Sequence, residues 1–264
     1  MKNNLFPVVL LSFFILLAGG CQFSGDNSKS TGKAKNDSVK IITKHFHDNP
    51  SSPVEWKIPM KLDQDGKFVR HGVAIRYSKS GKIIEKIPYV MGKKEGTRLT
   101  YHSTGKVYKE QPYKDNKLNG TCKRYDRQGK LTAEYPYRNG LPGAGLVEYT
   151  NLGKKRPVPK ISVQKKDLIK TSGKYILTLS LTGKGTERIK SVQFYEGKLI
   201  NGKYYHKNLV PARNLSAKKG QIVIELPKGT SFNKTINIVA VAKTSSGLKL
   251  ILQKPVKIAI RRGM

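Results

Sequence analysis

The chain has 264 residues and a formal charge of +34, from 51 Lys and Arg against 17 Asp and Glu. A basic tail is excluded as the source: residues 1–65 hold 8 basic and 6 acidic groups, residues 66–155 hold 20 and 7, and residues 156–264 hold 23 and 4. A field of that size draws in anionic surfaces and weakens with salt; a lysine-rich solvated surface would explain the many lysines but not the shortage of acids.

The N-terminus reads as an export signal. Met1-Lys2 is a short basic start, Leu5 to Leu17 is apolar, and the small residues Ala18-Gly19-Gly20 precede Cys21. That order is a secretory signal with a small-residue cleavage site. The run is shorter than the roughly 20 apolar residues of a membrane-spanning helix, and no second run of that length follows. The segment resembles a bacterial lipoprotein signal, which usually has Leu three places before the cysteine; here Ala18 holds that place and Leu17 the one before it. The resemblance implies a signal peptide over residues 1–20 and lipid attachment at Cys21, with palmitate-type acyl chains that hold the protein on a bilayer. The other reading is a plain signal with an incidental cysteine. Gln22, rather than Asp, follows the cysteine, which in such lipoproteins implies sorting to the outer membrane. With Cys21 acylated, Cys122 has no disulfide partner; between Thr121 and Lys123 it reads as a small buried side chain.

Gln22 to about Asn49 is rich in Ser, Asn, Lys, Gly and Asp. It reads as a flexible tether, assigned to residues 21–55, with a reach of about 30 Å as a loose coil. Ordered structure is expected from Lys57 to Met60, with Trp56 anchored against the first repeat.

Residues 56–156 carry a 24-residue beat. Gly81, Gly105, Gly129 and Gly153 keep that step, as do Tyr77, Tyr101, Tyr125 and Tyr149. So do Pro88-Tyr89, Pro112-Tyr113 and Pro136-Tyr137, and so do Gly72, Gly96 and Gly120, with Ala144 in the fourth place. Repeats at such a period mean stacked units that each touch mainly their neighbours. Each unit reads as two strands and two turns. In the second, Thr97, Leu99 and Tyr101 share one face and Arg98 and Thr100 the other. His102-Ser103-Thr104-Gly105 is a turn whose glycine supplies a left-handed residue for a short loop with a bulge. On the return strand Val107 is expected on the face of Tyr113, Ile83 on that of Tyr89 and Leu131 on that of Tyr137. Pro112 lacks a donor and is expected at a strand end or edge.

These units resemble the bacterial variant of the MORN repeat, on Gly72-Tyr77-Gly81-Lys82, Gly96-Tyr101-Gly105-Lys106, Gly120-Tyr125-Gly129-Lys130 and Tyr149-Gly153-Lys154. The resemblance implies a long antiparallel sheet. Its bacterial members are often labelled antitoxin-like, and MORN proteins in general are described as scaffolds or as membrane-associated.

After Lys154-Lys155-Arg156-Pro157-Val158-Pro159 the beat stops, which marks a domain boundary. Tyr175 to Leu181, Ile189 to Tyr195, Gln221 to Leu226, Thr235 to Ala242 and Leu248 to Ile260 read as strands punctuated by glycines. Ile161 to Val163 and Leu199 to Tyr205 complete about seven strands, the number of an immunoglobulin-like sandwich over residues 157–264. The fold class is therefore all-β: a MORN-like repeat sheet followed by an Ig-like β-sandwich.

The residues give little support for chemistry. His45 and His47 would share one side of a strand, but no Cys or third His stands at a metal-ligand spacing. His102 fills a slot held elsewhere by Ser78, Asp126 and Thr150, and so is a loop residue. Gly183-Lys184-Gly185-Thr186 is a hairpin tip too short for a phosphate loop. The carboxylates are few and mostly lie beside basic residues. No catalytic, cofactor-binding or metal site is assigned, and the chain is not expected to be an enzyme. Tyrosines interleaved with cations, as in Lys123-Arg124-Tyr125, could stack on bases, but a Tyr at the same slot of every unit is first an inter-unit packing residue. The export signal also disfavours nucleic acid as a partner. The expected role is a lipid-anchored, non-catalytic binding or scaffold protein of the Gram-negative outer membrane, facing the periplasm or the cell surface. Its partners would be the membrane, another envelope protein and anionic lipid or polysaccharide. Two other readings remain: a periplasmic antitoxin or immunity protein, and a structural lipoprotein of a trans-envelope secretion apparatus.

Overall fold

A computed structural model describes residues 39–264. The repeat region contributes β1 (Lys40–His45), β2 (Val54–Leu62), β3 (Phe68–Arg70), β4 (Gly72–Tyr77), β5 (Ile83–Val90), β6 (Lys93–Lys94) and β7 (Gly96–Tyr101). It continues with β8 (Val107–Lys114), β9 (Lys117–Leu118), β10 (Gly120–Tyr125), β11 (Leu131–Arg138), β12 (Leu141–Pro142) and β13 (Val147–Glu148). Among the described residues these thirteen strands form one antiparallel sheet, in the order β1-β2-β4-β5-β7-β8-β10-β11-β12, with β3, β6, β9 and β13 paired to β2, β5, β8 and β11.

Each repeat closes on the same turn. The Ser78, His102, Asp126 and Thr150 amides bond the carbonyls of Lys82, Lys106, Lys130 and Lys154 at 2.8 to 2.9 Å. The fourth turn residue is the glycine, at φ between +75° and +87° in all four, a conformation that L side chains adopt only with strain. The register slips just before the turn, between Arg76 and Tyr77, Thr100 and Tyr101, and Arg124 and Tyr125. That bulge corrects one expectation. Ile83 pairs with Tyr77 while Glu85 pairs with Arg76, so Ile83 lies on the face of Tyr77, opposite Tyr89. Val107 and Leu131 are displaced from Tyr113 and Tyr137 in the same way. A one-residue slip moves every side chain beyond it to the other face.

The tyrosines divide between two faces, because Tyr77, Tyr101 and Tyr125 stand five residues along their strands from Gly72, Gly96 and Gly120, the partners of Tyr89, Tyr113 and Tyr137. Tyr89, Tyr113 and Tyr137 share a face with Ala74, Cys122 and Ala133, while Tyr77, Tyr101, Tyr125 and Tyr149 lie on the opposite one. The prolines pack from unit to unit. A Cβ added to Gly72, Gly96 or Gly120 would stand 3.1, 3.3 or 2.9 Å from the Cγ of Pro59, Pro88 or Pro112. The glycine of each unit therefore accommodates the proline ring of the one before. Pro112 sits inside β8 rather than at its end. On the side away from β7 the β8 ladder pairs Lys109 and Glu110 with β10, and Tyr113 and Lys114 with β9. Pro112 falls in the gap between, where the missing donor leaves no ladder bond open.

The array starts earlier than the composition suggests. β1 pairs along β2, and Ile42 packs with Trp56 and Met60 against Ile58, Ala74, Ile87 and Tyr89. Lys40–His45 and β2 from Val54 thus belong to the sheet and not to a tether; residues 21–38 lie outside the described residues. Trp56 pairs with Arg76 of the first repeat, as its anchoring role requires.

The C-terminal region contributes β14 (Lys160–Leu168), β15 (Lys174–Thr182), β16 (Ile189–Glu196), β17 (Val210–Pro211), β18 (Arg213–Ser216), β19 (Lys219–Glu225), β20 (Ser231–Thr244) and β21 (Lys249–Arg261). A four-residue helix, α1 (Ile169–Ser172), joins β14 to β15. Two antiparallel four-stranded sheets result, β14-β15-β19-β18 and β17-β16-β20-β21. Leu177, Leu179, Phe194, Ile238, Ala240, Leu250 and Ile258 fill the core between them. Leu199 to Tyr205 is not a strand. It is a turn held by an Ile200–Tyr204 bridge, and Leu199 buries under Val239 and Ile251. The strand after β16 in that sheet is the short Val210–Pro211 instead. β20 reads as a continuous apolar run because both its faces are covered: Ile238 and Ala240 face the sandwich core, and Val239 lies under Leu199 and Leu209.

Candidate functional site

The last repeat does not complete itself; the sandwich completes it. Ala144 donates its amide to the Lys203 carbonyl at 2.8 Å, and Gly143 bridges to Tyr204. A Cβ on Gly143 would stand 3.0 Å from the Tyr204 ring and 3.1 Å from Pro136, so the glycine step lets the loop of the sandwich close over the array. Ala133 and Leu146 of the array join the main core of the sandwich. The described residues accordingly form a single compact unit.

A polar knot locks this joint. Glu148, 6% exposed, pairs with Arg188 from the loop between β15 and β16, and its carboxylate also accepts from Ser246 Oγ. Arg188 Nη2 donates to the Pro157 carbonyl at 2.7 Å, and the Ser245 amide donates to the Arg188 carbonyl at 2.7 Å. Burial pulls the Arg188 guanidinium down from its ordinary range. Its paired charge satisfies an otherwise isolated buried carboxylate, which is why neither partner is dispensable alone. Gly183-Lys184-Gly185-Thr186 lies beside this knot. It carries the chain from β15 to β16, that is from one sheet to the other, and so is not a hairpin tip. A Cβ on Gly185 would stand 2.4 Å from the Pro157 carbonyl.

Beside the knot lies a cleft of about 330 Å³, lined from the array by Arg124, Lys130, Thr132 and Tyr149 and from the joint by Arg156 and Arg188. Arg124 Nη1 reaches the Ser246 carbonyl at 3.0 Å, and Arg156 Nε the Tyr149 carbonyl at 3.2 Å. Tyr149 donates to Glu134 at 2.6 Å, a bond that raises its pKa. Within Lys123-Arg124-Tyr125, Arg124 turns to the sandwich while Lys123 and Tyr125 occupy the opposite face. The sequence singles out that triplet but does not show that it is split.

The tyrosines of the opposite face reach back to the preceding unit, as inter-unit packing requires. Lys57 lies 6.0 Å from the Tyr77 ring centre and Lys86 5.9 Å from that of Tyr101. Burial, and next the charge of Glu110, push Tyr125 up to about 12. Tyr149 repeats the contact with Glu134. On the face of the sandwich a charged ladder runs across the strands: Glu55 accepts from Arg76, and Arg98 donates to Glu85 and Gln111.

The histidines are dispersed. His45 Nδ1 lies 2.6 Å from the Ser52 carbonyl, His102 Nε2 3.0 Å from the Tyr125 carbonyl, and His206 Nε2 3.0 Å from the Lys198 carbonyl. His71 accepts from the Met91 amide, and His47 sits in a left-handed conformation beside its turn. No group of three or more His, Cys, Asp or Glu among the described residues is placed to hold a metal ion. Cys122 is fully buried under the array, and burial pushes its thiol up to about 11. Cys21 lies outside the described residues.

Among known families, the MORN repeat variant matches residues 70–91, 94–115 and 118–139, about a quarter of the chain. The matched stretches follow the 24-residue step and stop where the sandwich takes over the fourth unit. No curated protein matches the chain. Residues 70–139 thus hold three consecutive units similar to the MORN repeat variant, generally a non-enzymatic binding repeat.

Proposed function

We propose that the chain is a lipid-anchored, non-catalytic binding or scaffold protein of a Gram-negative cell envelope, with its array as the docking surface. One observation carries the docking role. The sandwich meets the sheet at its last repeat, where Tyr204 lies beside Pro136 and Arg138; over the first repeat the face that carries the prolines and Tyr77 stays free, with Val73 and Val90 47% and 48% exposed. A periodic, rigid face of this kind suits a protein partner. The anchor rests on the order of Leu5 to Leu17, Ala18-Gly19-Gly20 and Cys21. The strand order β14-β15-β19-β18 against β16-β20-β21 supports reading the C-terminal region as Ig-like, since constant-type immunoglobulin sandwiches set their strands A-B-E-D against C-F-G. The excess positive charge favours anionic lipid or polysaccharide at the surface.

Two experiments divide the proposal. Labelled palmitate should enter the wild-type protein and not a Cys21→Ser variant; equal incorporation, or none in either, removes the anchor. A photo-crosslinker placed at Val73, Thr97 or Thr121 should capture an envelope protein in cells. Capture from the sandwich alone would move the docking surface off the array, and a toxin as the captured partner would favour the immunity reading.

A further inference from the structure

The cleft at the joint continues outward. It shares Lys130, Leu131, Tyr149, Thr150 and Asn151 with a trough of about 600 Å³, whose outer wall is Leu152, 78% exposed. Its charges fall into two sets. At the bottom the Glu148 carboxylate is already matched by Arg188 and Ser246. Around it, Arg124, Lys130 and Arg156 face the same cavity, and none of the three belongs to an ion pair among the described residues. Arg124 uses only Nη1, on Ser246, and Arg156 only Nε, on Tyr149. Both keep guanidinium donors in reserve, and Lys130 Nζ makes no bond among the described residues. Arg188, its side chain 9% exposed, has a buried Nε without a partner. The second carboxylate of the cleft, Asp126, has its Oδ1 taken by the Gln128 and Lys130 amides of its own turn.

Four basic against two acidic side chains leave two positive charges unmatched inside one cavity. Solvated surface lysines repel and spread; Arg124 and Arg156 are instead fixed in the joint by their bonds to Ser246 and Tyr149, with Lys130 exposed beside them. Guanidinium forks suit tetrahedral and planar oxyanions alike, but a surplus of two charges matches a phosphate monoester, which carries about −1.5 to −2 near neutral pH. The trough adds an aromatic and aliphatic wall, of Tyr149, Leu131 and Leu152, that a bare inorganic ion would leave unused. We propose that this cleft binds a phosphate group carried on an organic substituent: Arg124, Lys130 and Arg156 hold the phosphate, and the trough beside Tyr149 receives the substituent. The site does not depend on acylation of Cys21. A soluble phosphomonoester and the monoester headgroup of phosphatidic acid present the same chemistry.

The test uses the full chain and two sources of the group. Calorimetric titration with glycerol 3-phosphate should show one saturable site, and acetate should compete poorly. Vesicles of phosphatidic acid in phosphatidylcholine form the second arm, read by co-sedimentation. Arg156→Gln and Lys130→Gln should each weaken binding about ten-fold or more, the loss expected for one charge-assisted hydrogen bond. Lys228→Gln, an exposed charge outside the cleft, should change nothing. Lys130→Gln leaves every described bond of the joint intact, so its result is independent of folding. Saturable glycerol 3-phosphate binding that both cleft variants weaken establishes the site with a soluble ligand. Vesicle binding alone, weakened by the same variants, establishes it for a lipid headgroup. Binding that Lys228→Gln weakens as much, that both cleft variants leave unchanged, or that acetate matches would overturn the proposal, as would no binding in either arm. Palmitate labelling is unaffected by any of these outcomes, so failure of this site and failure of the anchor are separable.

Discussion

Gly120→Ala tests what the repeat glycine is for. At Gly120 φ is +125°, and the added Cβ would stand 2.9 Å from Pro112 Cγ and 3.3 Å from its Cβ. The left-handed side of the backbone map costs an L-residue roughly 1–2 kcal/mol. The proline ring is rigid and set in a strand, so it cannot swing aside, and forcing the contact adds about 1–3 kcal/mol of overpacking. The expected loss is therefore about 2–5 kcal/mol. Gly105→Ala is the matched control: its φ is +83°, but nothing lies within 4 Å of its Cβ. Only the backbone cost applies there, about 1–2 kcal/mol. Urea unfolding followed by far-ultraviolet circular dichroism measures both. Adding Pro112→Ala to Gly120→Ala should recover part of the extra loss, because neighbours in contact do not add. Equal destabilisation by the two glycine variants, with no recovery in the double variant, would refute the view that the 24-residue step is set by a glycine receiving a proline.

Three further outcomes follow from the joint and the core. Arg188→Met strands the buried Glu148 carboxylate and should cost about 3–5 kcal/mol, while Arg188→Met with Glu148→Leu should return much of it; thermal unfolding of the two variants decides. The Cys122 thiol, fully buried and with a pKa near 11, should resist a thiol reagent at pH 8 until urea unfolds the chain. Reaction of Cys122 in the native protein at the rate of a free thiol would contradict its burial. Tyr125 and Tyr135 are both raised to about 12 from an ordinary value of 10, chiefly by burial. Folding holds their neutral forms, so their contribution is complete below about pH 10 and lost as the pH rises toward 12. Urea midpoints that stay flat across that window in wild type, or fall equally in a Tyr135→Phe variant, would sink the assignment.

Much of the array was legible because its requirements are local. A glycine in a left-handed turn and a proline without a donor are backbone statements that a single residue makes, and repetition at a fixed step gives their positions. The strands of the sandwich were legible for a similar reason, since Tyr175 to Leu181 and Ile189 to Tyr195 alternate. Lys40 to His45 was not legible. Its polar neighbours give it a tether's composition, and only pairing with β2 and the contact of Ile42 with Ile58 make it a strand. Leu199 to Tyr205 misled in the opposite sense: its apolar residues cover Val239 and Ile251 from a loop instead of extending a sheet.

The sequence by itself determined the all-β class, the repeat step, the turn glycines and the size of the charge. Tertiary structure alone decided which face Ile83, Val107 and Leu131 occupy and where the cations converge. The faces hinge on a bulge whose register slip no pattern of period two records. The cleft depends on Glu148 meeting Arg188, 40 residues on, and Ser246, 98 residues on. Contacts at that separation are fixed by the packing of one sheet against another, and no local backbone preference encodes them.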